Sequence, residues 1–193
     1  MKTNRNEIGK LAAMIGAALL ISGLVRYSVQ NLWGANLWLV IGGAVLLVVG
    51  LILNIEMVKA FFTGRSHADN VLKVAFKGST PLLVDSVGGT GDKGDFVLID
   101  TVHEGTKPVR QRKWVMRQIA PGHFTGSLSD ATGPVDIVVS GNTATVRYTM
   151  KGGINIVQTM KLQPDGRTLS NHVEATKFGL HFGRVDGTIR KLD

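Results

Sequence analysis

The residues best suited to recognising a ligand lie in one basic run. Lys107, Arg110, Arg112, Lys113 and Arg117 occur together, and no acidic residue separates them. In a strand, alternation places Arg110 and Arg112 on the same face as Trp114 and Met116. If Trp114 points into a core, Arg112 does too, and a buried arginine needs a carboxylate or phosphate partner. An arginine at the mouth of an apolar cavity suits a fatty acid or phospholipid. The alternative, surface arginines for solubility and headgroup contact, stays open.

Other residue patterns do not predict catalysis. His172 and Glu174 have the spacing of two metal ligands on one strand face, and His181 could approach them across a hairpin. The sequence supplies no third ligand, so no metal site, catalytic residue or cofactor is predicted. No serine lies in a G-x-S-x-G motif. The glycine-rich segment 88–94, GGTGDKG, lacks the Walker order of residues and is interpreted as a hairpin. The chain has no cysteine, which excludes disulfides, thiolate zinc sites and cysteine nucleophiles.

Two apolar segments dominate the first third of the chain. Residues 37–55 carry no charge until Glu56 and are long enough to cross a bilayer as a helix, and residues 11–25 form a second such run. We therefore expect transmembrane helices over about 8–25 and 37–57, within a membrane anchor spanning 1–65. Basic residues flank both ends, which predicts a multi-pass protein of the bacterial inner membrane with its second domain in the cytoplasm. Phe61 and Phe62 are expected to close the membrane interface.

The pattern of the remaining residues, 66–193, predicts a β domain. From Val71 onwards, nine segments alternate apolar and polar residues, and glycine-rich or proline-containing turns separate them at about ten-residue spacing. Ala144, Val146, Tyr148 and Met150 share one face of such a segment. One apolar face per strand and many hairpins favour a closed antiparallel barrel, which leaves no free sheet edge. The net charge of +8 is interpreted as topology charge and attraction to anionic headgroups, with no nucleic-acid partner.

Three segments, RKWVMRQIAPGHFTGSLSD, SGNTATVRYTM and ATKFGLHFGRVDGTIRK, together resemble a bacterial family of uncharacterised envelope proteins, domain of unknown function 3833. The resemblance covers about residues 60–191 and includes Arg112 with Trp114, the 122–126 motif GHFTG, and Lys177-Phe178-Gly179 before the last strand. It implies a lipocalin-like (calycin-type) barrel and a periplasmic location, without an activity. Members of the family usually look like lipoproteins with an acylated cysteine, whereas this chain has no cysteine. The charge bias therefore predicts a cytoplasmic location for the second domain, whereas the family resemblance implies a periplasmic one.

The sequence thus predicts a mainly β protein: an antiparallel lipocalin-like barrel preceded by a two-helix transmembrane hairpin. The leading function is to bind or shield a lipid or other amphipathic ligand next to the bilayer. The alternative is a non-catalytic accessory or docking subunit with a filled barrel, which joins a membrane protein complex through the helical hairpin. The candidate ligand-binding residues are Arg112, Trp114, Met116, Arg147, Tyr148, Met150, Ile156 and Met160, with Arg112 and Arg147 as anion partners.

Overall fold

The computed structural model describes residues 12–20, 44–45 and 59–193. The chain divides into two compact units, 1–57 and 58–193. In the first unit, the described residues 12–20 and 44–45 are helical. The second unit begins with a helical turn over 59–62 and continues as ten strands. The domain boundary predicted between 65 and 66 stays a prediction.

The ten strands follow one another as antiparallel neighbours, and the last pairs with the first to close a barrel. They are β1 Gly64–Val74, β2 Gly78–Thr90, β3 Phe96–Glu104, β4 Arg110–Ala120, β5 His123–Leu128, β6 Val135–Ser140, β7 Thr143–Met150, β8 Ile154–Leu162, β9 Thr168–Lys177 and β10 Leu180–Lys191. Their alternating burial follows the period-two pattern of the sequence. In β3, for example, Phe96, Leu98, Asp100 and Val102 all point inward and are buried.

The mainly β antiparallel barrel agrees with the sequence prediction, but the strand count differs. The structure has ten strands where nine were predicted, and the additional one is β2. Its sequence did not indicate a strand because it contains Pro81 near its start and two glycines near its end. Strand β1 begins at Gly64, seven residues before the predicted start at Val71. Its first half was not predicted because the inward positions there are the small or polar residues Ser66, Ala68 and Asn70. A pattern search for apolar alternation misses such positions.

The prediction of a two-helix transmembrane hairpin is wrong for the described residues. None of the helices within 12–20, 44–45 and 59–193 has both the length and the apolar character required to cross a membrane. The multi-pass placement in the inner membrane, and the side assigned to the second domain, therefore lose their support. Most of the predicted spans 8–25 and 37–57, together with the aromatic loop between them, lies outside the described residues.

One end of the barrel carries the helical turn 59–62. Phe61, which was expected to close a membrane interface, is buried, and Phe62 packs edge-on against it with ring centroids 5.0 Å apart. Lys191 caps the turn, because its Nζ donates hydrogen bonds to the carbonyl oxygens of Ala60, at 2.6 Å, and of Thr63, at 2.6 Å. We call this the capped end.

Gly88 in β2 allows the helical turn to approach the sheet so closely. A Cβ atom at this position would collide with the carbonyl oxygen of Phe62 and would lie 3.0 Å from side-chain atoms of Leu98 and Phe96. Only glycine therefore fits where the turn crosses the strand.

The opposite end of the barrel, which we call the mouth, is formed by the connections 75–77, 105–109, 129–134, 151–153 and 178–179. Lys77 and Lys107 from these connections line the entrance to the interior.

Candidate functional site

A cavity of about 630 Å³ runs through the interior of the barrel. This volume lies in the range of about 300–1,000 Å³ that is typical of small-molecule sites. Much of its wall consists of buried apolar side chains contributed by six different strands: Val84, Leu98, Phe124, Ile137, Val146 and Ile156. The barrel is therefore not filled by its own side chains, as the alternative function had supposed.

A row of polar residues crosses the wall on neighbouring strands. Ser86 on β2 pairs in register with Asp100 on β3, and Asp100 pairs in register with Arg112 on β4. The Asp100 carboxylate accepts three hydrogen bonds: from Ser86 Oγ at 2.7 Å, from Arg112 Nη2 at 2.9 Å and from Trp114 Nε1 at 2.8 Å. The side chain of Asp100 is only 5% exposed, and that of Arg112 is 17% exposed. The interior therefore holds its own ion pair.

The ion pair changes how Arg112 can contact a ligand. Its charge is compensated by Asp100, so the cavity carries no free positive charge at this point. The buried Nε atom of Arg112, however, has no hydrogen-bond acceptor among the described residues. A buried donor without a partner costs free energy. Because Asp100 compensates the charge of Arg112, the site is better suited to a neutral acceptor, such as a carbonyl, ester or hydroxyl oxygen, than to a second carboxylate.

Trp114 and Tyr148 form an aromatic corner beside this ion pair. Their rings pack edge to face, with centroids 5.6 Å apart and an interplanar angle of 87°. The guanidinium carbon of Arg112 lies 6.0 Å from the centroid of the Trp114 ring. Burial raises the pKa of the Tyr148 phenol above its ordinary value of 10.0, so this hydroxyl stays neutral. The corner offers flat apolar surface with polar groups at its edge.

A second polar group in the wall is a chain of three amides. Gln158 Nε2 donates to Asn171 Oδ1 at 2.8 Å, and Asn171 Nδ2 donates to Asn70 Oδ1 at 2.9 Å. Asn70 lies on β1 and Asn171 on β9, with Gly187 of β10 in register between them. Because Gly187 has no side chain, the two amides can bond across the intervening strand. All three amide side chains line the cavity.

The basic side chains at the mouth are partly neutralised by acids. Glu104 pairs with Lys107, and it also lies 3.8 Å from a guanidinium nitrogen of Arg110. Arg110 makes a closer pair with Asp130, at 3.0 Å. Arg110 thus links the end of β3 and the start of β4 to the connection 129–134 on one side of the mouth.

The structure places seven of the eight predicted site residues in the cavity wall: Arg112, Trp114, Met116, Tyr148, Met150, Ile156 and Met160. Arg147 does not line the cavity. It is exposed on the outer face of β7, opposite Asp136 of β6 and Val157 of β8. Alternation along β7 puts Arg147 on the face opposite Tyr148, so its nomination as an anion partner is corrected. Whether the other seven bind a ligand stays a prediction.

Sequence reasoning missed the acid that holds Arg112 and the amides on β1 and β9. A signal for Asp100 was present, because it lies between the apolar residues Leu98 and Val102 on the inward face of β3. Asn70 and Asn171 carry no comparable signal, since their meeting depends on how the barrel closes.

His172 and Glu174, the two residues with the spacing of metal ligands, lie outside the cavity. His172 Nδ1 is 2.6 Å from Asp186 Oδ1, and its Nε2 is 3.5 Å from a carboxylate oxygen of Glu174. The hydrogen bond with Asp186 raises the pKa of His172 above 6.5. Among the described residues, no group of three histidine or acidic side chains is arranged so that it could hold a metal ion.

Comparison with known proteins gives a family and a fold. A family model described as "Protein of unknown function (DUF3833)" matches residues 55–191. No curated protein matches the chain.

Among solved structures, an S-type phycobiliprotein lyase, CPES, from Guillardia theta is similar, with a TM-score of 0.58 and 6% identity, over 72% of this chain and 93% of that one. The protein Rv2717c from M. tuberculosis is similar with a TM-score of 0.52 and 11% sequence identity, over 71% of this chain and 98% of that one. A DUF3598 family protein of unknown function from Nostoc punctiforme is similar with a TM-score of 0.53 and 10% sequence identity, over 69% of this chain but only 49% of that one. At such identities the likeness shows the barrel fold alone.

Proposed function

This chain belongs to the DUF3833 family of proteins of unknown function, and we propose that its barrel binds a lipid or another amphipathic molecule. The observation that carries the proposal is the cavity of about 630 Å³, whose apolar wall is interrupted by a few buried polar groups. Such a combination is typical of small-molecule sites, where apolar surface supplies affinity and polar groups fix orientation.

The polar groups indicate how the ligand would lie. Arg112 is two residues from the mouth end of β4, lines the cavity, and has a side chain that is 17% exposed. Towards the capped end, the wall includes Phe124, Ile137 and Ala144. An amphipathic molecule would therefore place its apolar part deep in the barrel and a polar oxygen near Arg112. The phycobiliprotein lyase shows that a barrel of this fold serves in a different activity, which the fold alone does not transfer to this chain.

The proposal is tested by native mass spectrometry with organic extraction of the full-length chain, purified gently from its own cells. Replacing Arg112 or Trp114 is a poor test, because both donate to Asp100 and their loss disturbs the fold. Ala144→Phe is preferable, since Ala144 is buried in the cavity wall and a ring there fills part of the volume. Thr145→Phe is the matched control, because Thr145 faces outward on the same strand.

We expect a bound amphiphile at one per chain in the wild type and in Thr145→Phe, and a loss of at least tenfold in Ala144→Phe. Circular dichroism spectra and melting temperatures of both variants establish that the barrel is folded. Overpacking of this kind costs about 1–3 kcal/mol, which a folded domain can tolerate. A wild-type barrel that yields no amphiphile, or one retained equally by the folded Ala144→Phe variant, would contradict the proposal.

A further inference from the structure

Two neighbouring turns at the mouth each present a phenylalanine to solvent. Phe76 lies in the turn between β1 and β2 and is fully exposed, and Phe178 lies in the turn between β9 and β10 with 89% exposure. Because β1 pairs with β10, the two turns are adjacent, and the Ala75 amide donates to the Phe182 carbonyl at 3.1 Å. Leu180, 74% exposed, adds to the same apolar surface. We call residues 75–77 and 177–180 the paired tips.

Backbone geometry makes these phenylalanines unexpected. Phe76 has a φ of 64° and Phe178 a φ of 53°, and they are the non-glycine residues with positive φ among those described. Left-handed backbone geometry is costly for a bulky side chain, and glycine or asparagine would fit better. The two rings also gain almost no burial. Neither local geometry nor packing within the barrel therefore accounts for an aromatic residue at these positions, which favours a contact outside the barrel.

The charges around the tips indicate the chemistry of that contact. Lys77 follows Phe76 directly, and Lys177 precedes Phe178, with its Nζ 5.5 Å from the centre of that ring. Neither tip contains an acidic residue. Protruding aromatic rings flanked by lysines are suited to a bilayer with anionic lipids, because the rings can enter the acyl boundary while the ammonium groups stay among phosphates.

We propose that the paired tips dock the mouth of the barrel onto an anionic lipid bilayer, with Phe76 and Phe178 inserted and Lys77 and Lys177 among the headgroups. Exposed rings beside lysines that form no ion pair within the described part of the chain favour a lipid surface over a protein partner, which would need a matching hollow. This contact uses turns of the barrel and requires no membrane-spanning helix. It is independent of what the cavity holds, so either proposal can fail alone.

The absence of cysteine from the chain allows one fluorophore to be placed at will. The full-length Leu180→Cys protein carries an environment-sensitive dye at a tip and keeps both phenylalanines. Ile119→Cys is the matched control, because Ile119 is 53% exposed at the capped end. Each protein is mixed with vesicles of phosphatidylcholine alone or with one-third phosphatidylglycerol. This readout reports the local contact, even if an apolar segment elsewhere holds the chain on the vesicle.

We expect a blue shift at position 180 with phosphatidylglycerol vesicles, and none at position 119. The double variant Phe76→Asn, Phe178→Asn removes the rings, while asparagine accepts the left-handed geometry and preserves the fold. It should abolish the shift. The double variant Lys77→Gln, Lys177→Gln should raise the half-maximal lipid concentration about fivefold for each lysine, from the ~1 kcal/mol that a basic residue gains at an anionic surface.

Three results would overturn the docking proposal. The first is equal shifts at positions 180 and 119, which would show unspecific association. The second is a tip shift that survives the asparagine substitutions or occurs equally with neutral vesicles. The third is a dye at position 180 that is already in an apolar environment before vesicles are added, in a protein whose mass is that of a dimer, since the occupant would then be a second copy of the chain.

Discussion

Replacing Asp100 with asparagine should strongly destabilise the barrel, because this carboxylate accepts hydrogen bonds from Ser86, Arg112 and Trp114. Asparagine keeps the shape but removes the charge and turns one acceptor into a donor. Removing one partner of a buried ion pair costs about 3–5 kcal/mol. The Arg112 side chain is 17% exposed and can recover some hydration, so we expect the low end, about 3 kcal/mol.

The loss can be measured by urea unfolding followed through Trp114 fluorescence. The other two tryptophans, Trp33 and Trp38, are replaced by phenylalanine so that the fluorescence comes from Trp114 alone. With an m-value of about 2 kcal/mol per M, a loss of about 3 kcal/mol lowers the unfolding midpoint by about 1.5 M. Asp92→Asn, in the exposed turn between β2 and β3, is the control and should change stability by less than about 0.5 kcal/mol.

A double variant separates the ion pair from the packing. Asp100→Leu with Arg112→Leu leaves no buried charge and should be more stable than Asp100→Asn, because apolar replacement of a buried ion pair is often close to neutral. The reasoning would be refuted by a loss below about 1 kcal/mol in Asp100→Asn. It would also be refuted if the double leucine variant proved the less stable of the two.

Two further expectations test other parts of the barrel. In Gly187→Ala, the added Cβ would collide with the carbonyl oxygen of Asp69 and with the amide oxygen of Asn70 that bonds to β9. The free energy of unfolding should therefore fall by at least about 1–3 kcal/mol, whereas Gly89→Ala, with open space around it, should be tolerated, and urea unfolding midpoints compare the two variants. His67 lies 2.6 Å from Asp85, and this hydrogen bond raises the pKa of His67 above 6.5. The fold therefore favours protonated His67, whose contribution to stability is present below pH 6.5 and is lost as the pH rises through the folded-state pKa. An NMR titration should show that pKa fall towards 6.5 in Asp85→Asn, and no change would contradict the assignment.

The ion pair in the cavity could have been predicted from local sequence. The segment 104–108, EGTKP, is the turn between two alternating strands, and a symmetric hairpin about its centre, residue 106, brings Asp100 opposite Arg112. The structure has this register. Because Asp100 shares a face with Phe96 and Leu98, the same argument places it inside. Hairpin geometry and period-two alternation were therefore sufficient for this part of the site.

The amide chain could not have been predicted in this way. Asn70 and Asn171 are separated by about a hundred residues, and they meet only because β10 closes the barrel between β1 and β9. Their contact depends on the closing register and on the missing side chain at Gly187, neither of which follows from local patterns. The exposed tips were missed for a different reason, since backbone φ at Phe76 and Phe178 is set by turn geometry. Non-local closure and turn conformation thus limit what the sequence alone reveals.

The compensation of Arg112 by Asp100 also predicts the orientation of a bound amphiphile. A carboxylate placed deep in the barrel would meet an already paired arginine and would lose its hydration without a free cation in return. Its headgroup should therefore stay at the mouth. Trp114 lies four residues, about 13 Å along an extended strand, from the mouth end of β4 at Arg110.

Bromine quenches tryptophan fluorescence at short range, so stearic acids brominated at different carbons can measure this orientation. In the variant whose remaining tryptophan is Trp114, an acid brominated in the middle or distal half of the chain should quench strongly. One brominated beside the carboxyl group should quench weakly at equal occupancy. Asp100→Asn frees the charge of Arg112 inside the barrel, so in a folded Asp100→Asn protein the proximal bromine should become the stronger quencher. A proximal bromine that already quenches best in the wild type would mean that the headgroup binds inside, and that the internal ion pair does not decide how the ligand lies.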